Sequence, residues 1–174
     1  MNKLLKLALM SSILFSAATV SAQDKSTRKS PPAKVSETLK SGATISIDYS
    51  QPSLNGRTIG TDVEPKSGQV WRMGANEATV FETDKEVKIE GKKLPAGKYS
   101  LFGLKEEDGT FTLIFNKNWK IWGTAYDANK DQDALRVKTK AEKAKTSQEV
   151  LTYTIREGEV TLHWGDMEVE FEVK

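Results

Sequence analysis

The chain has no cysteine and only one histidine, His163. The first absence excludes disulfides, thiolate nucleophiles and every Cys-ligated zinc or iron–sulfur centre. The second excludes a multi-histidine metal site built by a single chain. Long apolar runs are scarce too. The uncharged stretch Leu7–Gln23 spans 17 residues and is diluted by Ser11, Ser12, Ser16 and Thr19; a membrane-spanning helix needs about 20 predominantly apolar residues. No G-x-x-x-x-G-K-[ST], G-x-G-x-x-G, G-x-S-x-G or H-E-x-x-H spacing occurs. Phosphate-cradling loops, a nucleophile elbow and a zincin helix therefore have no local signature.

The chain opens with Lys3 and Lys6, a mostly apolar run Leu7–Val20, and the small-residue step Val20-Ser21-Ala22. That order predicts a secretory signal peptide over residues 1–22, cleaved near Ala22, and a periplasmic or secreted mature protein. Without a cysteine after the apolar run there is no site for a lipid anchor, so no stable membrane anchor is expected in the mature chain. The charge balance then changes. Of 26 Lys+Arg and 24 Asp+Glu in 174 residues, the signal removes two lysines and no acids, leaving 24 against 24. A net-neutral chain has no general attraction for phosphate backbones or anionic lipid, and no nucleic-acid partner is expected.

Gln23–Lys34 is polar, charged and contains Pro31-Pro32, which predicts a flexible tether over 23–34. From Val35 onward Val, Ile, Thr, Phe and Tyr recur in short runs between Gly, Pro, Asn and Asp, so a β domain is expected over 35–174. Ala43–Tyr49 reads as a strand with Ile45 and Ile47 on one face. Glu157-Gly158 and Gly165-Asp166 both suit two-residue hairpin loops. Together they align Leu151, Tyr153, Ile155, Val160, Leu162, Trp164, Met167, Val169, Phe171 and Val173 on one face, opposing Trp164 to Met167. Asp108-Gly109 predicts a further hairpin, with Leu101 and Ile114 on one side and Phe102, Leu104, Leu113 and Phe115 on the other. A turn at Gly91-Lys92 divides Val87–Leu94. Thr139–Gln148 tolerates helix but lacks an apolar face. The expected fold is all-β, a single-domain antiparallel β-sandwich of about nine strands, with a closed or partly open β-barrel as the alternative.

Four groups of residues carry possible chemistry. His163 falls on the polar face opposite Glu168 and beside Thr152, an ordinary cross-strand charge pair, and no catalytic residue is assigned. Asp127, Asn129, Asp131 and Asp133 alternate in a pattern that can converge oxygens on calcium, the one cofactor considered; yet Gln132 replaces the turn glycine and Lys138 the bidentate acid of an EF-hand. Trp71–Thr79 packs an aromatic, a fixed cation, an amide and a carboxylate into an irregular stretch. Arg72, Asn76 and Glu77 there, with Arg57 in a second loop, suit either a polar ligand or an internal Arg–Glu network. Trp119 and Trp122 lie in a polar loop, where exposed rings stack on sugars or partner side chains and buried ones plug a sandwich end. Paired-carboxylate hydrolysis is formally open to Glu77 with Asp48, Asp62 or Glu64.

Tyr49-Ser50-Gln51-Pro52, Gly56-Arg57, Trp71-Arg72-Met73-Gly74-Ala75-Asn76-Glu77-Ala78-Thr79, Gly91-Lys92-Lys93-Leu94-Pro95-Ala96-Gly97-Lys98-Tyr99 and Trp122-Gly123 follow one another in this order. In that order they resemble domain-of-unknown-function family 2911, exported bacterial envelope proteins with a W-R-x-G-A-N-E-A-T motif. Some members carry Arg where this chain has Gln51. The resemblance implies export and a domain covering nearly the whole mature chain; it implies no reaction. The expectation is a non-catalytic binding module for a glycan or peptide, its ligand held by Arg57, Trp71, Arg72, Asn76, Glu77, Trp119 and Trp122. The alternatives are a structural or assembly protein of the envelope, or a hydrolase using Glu77.

Overall fold

The structure, a computed structural model, describes residues 27–174, so the signal reading over Met1–Ala22 lies outside the described residues. Ten strands run through them in chain order: β1 (Pro32–Thr38), β2 (Thr44–Ser50), β3 (Val70–Trp71), β4 (Thr79–Thr83), β5 (Val87–Ile89), β6 (Lys92–Leu94), β7 (Gly97–Lys105), β8 (Thr110–Asn116), β9 (Asp133–Arg156) and β10 (Glu159–Glu172). Among the described residues there is no α-helix. The main sheet is ordered β1-β2-β4-β7-β8-β9-β10, with β3 on β7, and β5–β6 form a separate hairpin. All pairings between named strands are antiparallel. The sheet curls into a half-barrel, so the all-β antiparallel class holds and a sandwich or partly open barrel both describe it.

Curling follows from β9. At about 3.3 Å per residue a straight strand of this length would approach 80 Å, while a domain of this size is about 40 Å across. The strand therefore pairs first with β8 (Thr139 opposite Phe111) and then with β10 (Ala141 opposite Val169, Tyr153 opposite Leu162). The helix-tolerant stretch Thr139–Gln148 is extended because both neighbours take up its backbone groups, and pairing overrides a weak local propensity. The sheet curls around the core of Ile45, Ile47, Phe81, Leu101, Leu113, Phe115, Leu151, Tyr153, Leu162 and Phe171. A second, smaller cluster of Ala78, Phe102, Ile114 and Tyr126 covers the opposite face of β7–β8.

Three turns differ from expectation. Glu157-Gly158 closes as predicted, with Arg156 opposite Glu159 and Ile155 opposite Val160. Gly165-Asp166, by contrast, is a bulge: β10 runs through it, Gly165 opposing Gln148 and Met167 opposing Lys143 instead of Trp164. A bulge adds one residue and so switches side-chain parity as a two-residue turn does, which keeps Val160, Leu162, Trp164, Met167, Val169, Phe171 and Val173 buried together. The β7–β8 loop has three residues, Glu107-Asp108-Gly109, with Gly109 at φ +84° and the Glu106 N–H donating to the Thr110 carbonyl. That one-residue difference puts Leu101 opposite Phe115 and Phe102 opposite Ile114, so the expected faces are re-sorted while both remain apolar. In the small hairpin Ile89 opposes Lys92, placing the turn at Glu90-Gly91.

Order also begins earlier than the expected tether boundary. Pro32 starts β1, an edge strand paired only with β2, where a proline's missing N–H costs no ladder bond. Ahead of it, Arg28 and Ser30 already bond to residues 77 and 76.

Candidate functional site

The segment Arg72–Ala78 is an excursion from one strand line. Trp71 opposes Gly103 and Thr79 opposes Leu101, so β3 and β4 share one edge of β7, and seven residues loop out where β7 advances past Phe102 alone. Two residues of the loop, Met73 (φ 51°) and Asn76 (φ 61°), sit in the left-handed region. Asn tolerates it; for a fully buried Met it costs roughly 1–2 kcal/mol. The Met73 carbonyl accepts from the Tyr153 hydroxyl at 2.9 Å and the Thr79 hydroxyl at 3.0 Å. At about 1 kcal/mol each these two bonds offset the strain. Tyr153 is fixed in turn by an edge-to-face contact with Tyr49, centroids 4.7 Å apart. The core thus holds the loop in one shape.

Arg72 and Glu77, the expected ion pair, do not meet. Glu77 is clasped by Arg28, whose Nη1 lies 2.9 and 2.8 Å from its two carboxylate oxygens. Beside it the Asn76 amide donates to the Ser30 carbonyl at 3.1 Å. The Arg72 side chain instead passes beneath Gly123, whose N–H donates to the Asn76 carbonyl at 3.1 Å. Its Nε is buried and has no hydrogen-bond partner, and Trp164 Nε1 is the only other such nitrogen among the described residues. Burial pushes the Arg72 guanidinium below its ordinary range, with nearby Glu64 pulling the other way.

Both unpartnered nitrogens belong to residues lining one cavity of about 270 Å³. Its wall combines Arg57, Lys66 and Arg72 with Asp62, Glu64 and two indoles, Trp71 and Trp164, stacked at 5.9 Å and 16°. Arg57 is braced by donating Nε and Nη2 to the Leu54 and Ser53 carbonyls at 2.8 and 2.7 Å. The acids brace the same loop: the Thr58 N–H donates to Asp62 Oδ2 and the Lys66 N–H to Glu64 Oε2. Such a cleft offers cationic donors and carboxylate acceptors to one small polar molecule, with two largely buried indoles behind them.

Of the seven expected ligand residues, Arg57, Trp71 and Arg72 come together here. Asn76 and Glu77 border it on the side of Arg28 and Ser30. Trp122, 52% exposed, lies farther along, its backbone bridged to Glu77. Trp119 is elsewhere, with Lys98 and Lys120 ammonium groups 5.1 and 4.7 Å from its ring centre. Sequence reasoning missed Trp164, because its place in the apolar register read only as core, and Lys66 and Arg28, which had no motif around them.

The other expected groups are placed as follows. Asp133 spends both oxygens on Asn116, Tyr126 and Arg136, and Asn129 bonds to Ala125 and Asn118. Among the described residues Asp127, Asp131 and Asp133 form no cluster suited to a metal ion. His163 pairs with Thr152; its Nε2 lies 2.8 Å from the Thr146 carbonyl and its Nδ1 3.9 Å from Glu168. Asp48 and Glu77 line a shared cleft of about 230 Å³, yet each is already held by a cation, Lys34 and Arg28 respectively.

No curated protein and no solved structure matches the chain. The family model described as a protein of unknown function, DUF2911, matches residues 30–173. That span takes in the strained loop, the cavity and every strand; of the described residues only 27–29 and Lys174 lie outside it. The chain therefore belongs to the DUF2911 family.

Proposed function

We propose that the protein is exported, cleaved near Ala22, and works in the periplasm or outside the cell as a non-catalytic binding module whose ligand is a glycan. The observation that carries this reading is Arg72: its stem is packed under Gly123, its side chain lines a cavity, and its buried Nε has no hydrogen-bond partner. A buried donor without an acceptor is costly to a fold, and proteins keep such costs where a ligand repays them. The mixture of charged acceptors and charged donors suits a hydroxyl-rich ligand better than an apolar peptide side chain.

Glycan-array binding by the mature chain and its Arg72→Gln variant tests the proposal. Gln keeps the stem beneath Gly123 and removes the guanidinium. Selective glycan signals that the variant loses support a binding site. Signals that survive the substitution place binding elsewhere. A second reading, an envelope assembly protein, draws on the half-exposed Trp122 ring beside the Arg28–Glu77 clasp. It predicts a self-association or pull-down phenotype for Trp122→Ala and none for Arg72→Gln.

A further inference from the structure

Resting on that binding reading, we infer that the cavity takes an acidic sugar, a pyranose whose carboxylate is received by Arg72 and Lys66 and whose hydroxyls donate to Asp62 and Glu64. Four observations lead there. First, Arg72 lines the cavity, and a guanidinium presents parallel N–H donors that match a carboxylate. Second, Trp164 forms part of the same wall and its Nε1–H, buried behind the cavity surface, has no acceptor, so changes in the wall on binding are read at that N–H. Third, Asp62 and Glu64 each have one oxygen engaged by a backbone N–H of their own loop, which leaves the other oxygen to accept. Fourth, the cavity of about 270 Å³ opens to solvent and is large enough to seat one sugar ring.

The combination selects the ligand class. A bare oxyanion would satisfy the cations and be repelled by the two acids. An uncharged sugar would satisfy the acids and leave the three cations of the lining facing only two acids, with one positive charge uncompensated. A peptide C-terminus brings a carboxylate but no array of hydroxyl donors. A uronic acid brings both kinds of group on one ring.

The test is an NMR titration of the mature chain, following the four Trp indole N–H resonances (assigned by single Trp→Phe variants) and the Arg72 Nε–H. The probes are the methyl glycosides of glucuronic, galacturonic and mannuronic acid, their uncharged parent glycosides, and acetyl-alanyl-alanine. The expected result is that one uronide shifts the Trp164 and Arg72 signals and binds about tenfold or more tightly than its uncharged parent, the range for a charge-assisted hydrogen bond. Arg72→Gln should remove that preference, and Lys66→Met should weaken it without disturbing the Tm. Equal binding of acid and parent overturns the acidic-sugar inference and leaves glycan binding intact. Binding of acetyl-alanyl-alanine alone replaces the sugar with a peptide. No shift at Trp164 or Arg72 with any probe overturns the inference and removes this cavity from the binding reading as well.

Discussion

Gly123 lies directly on the side chain of Arg72. A Cβ on Gly123 would collide with Arg72 Cδ and come within 2.8 Å of the Asn76 carbonyl oxygen. The Trp-Gly step and the Trp-Arg motif, about fifty positions apart in the chain, are one packing unit. The glycine presses the arginine stem down and so directs its charged end along the cavity wall.

Gly123→Ala should therefore cost about 1–3 kcal/mol through overpacking, read as a drop in the urea unfolding midpoint. The double variant Gly123→Ala/Arg72→Ala should recover only part of that loss, because shortening Arg72 removes one obstacle and leaves the Asn76 carbonyl. Additive losses in this cycle would show that the glycine matters for some other reason.

Tyr153→Phe keeps the ring against Tyr49 but removes a buried donor from the Met73 carbonyl. The expected loss is about 1–2 kcal/mol, with faster amide exchange through residues 72–78 as the local signature. Unchanged exchange there would mean that Thr79 alone holds the strained loop.

All four tyrosines are shifted the same way. Burial raises Tyr49 and Tyr99, complete burial lifts Tyr153 well above the ordinary value, and burial reinforced by Asp133 pushes Tyr126 up to about 12. Unfolded tyrosine ionises near 10.0. Above that pH the unfolded chain releases protons that the folded chain retains, so this contribution is complete below pH 10 and is lost as pH climbs toward about 12. Urea unfolding at pH 7, 8.5 and 11.5 should show this contribution flat between the first two and falling at the third. A midpoint that stays level to pH 11.5 contradicts the burial of these phenols.

The Arg28–Glu77 clasp rests on one nitrogen, Nη1, shared between both carboxylate oxygens, and is partly solvated, its side chains 23% and 37% exposed. Arg28→Ala should cost no more than about 1 kcal/mol while raising amide exchange at Asn76 and Glu77. A loss of several kcal/mol would mark the segment ahead of β1 as a structural strand in its own right.

Much of the sheet was legible because two physical signals agreed along it. Strict alternation fixed which side chains of β9 and β10 face inward, and Glu157-Gly158 set their register. What was not legible had one cause: parity. A bulge at Gly165 and a two-residue turn leave the same inward-facing set, so only pairing partners distinguish them, and those lie in a stretch whose composition also tolerates helix. The third residue of the loop before Thr110 escaped notice for a similar reason, since both faces of β7–β8 are apolar and a slip there exposes nothing. At the site, Arg57, Trp71 and Arg72 stood out as unusual residues in irregular stretches. Trp164 did not, because an indole in an apolar register looks like any core residue until its N–H is found without an acceptor. Arg28 was hidden in a segment whose prolines and charges suggest only a tether.

The account turns on whether the Arg72 guanidinium serves a ligand or the fold, and the unfolding free energy of Arg72→Met decides between them. Methionine keeps an unbranched stem beneath Gly123 and removes only the charge. If the cation is held for a ligand, the ligand-free variant is as stable as the parent or slightly more stable. If Arg72 instead anchors an internal ion network, its removal should lower stability by about 3 kcal/mol or more, and the binding proposal fails.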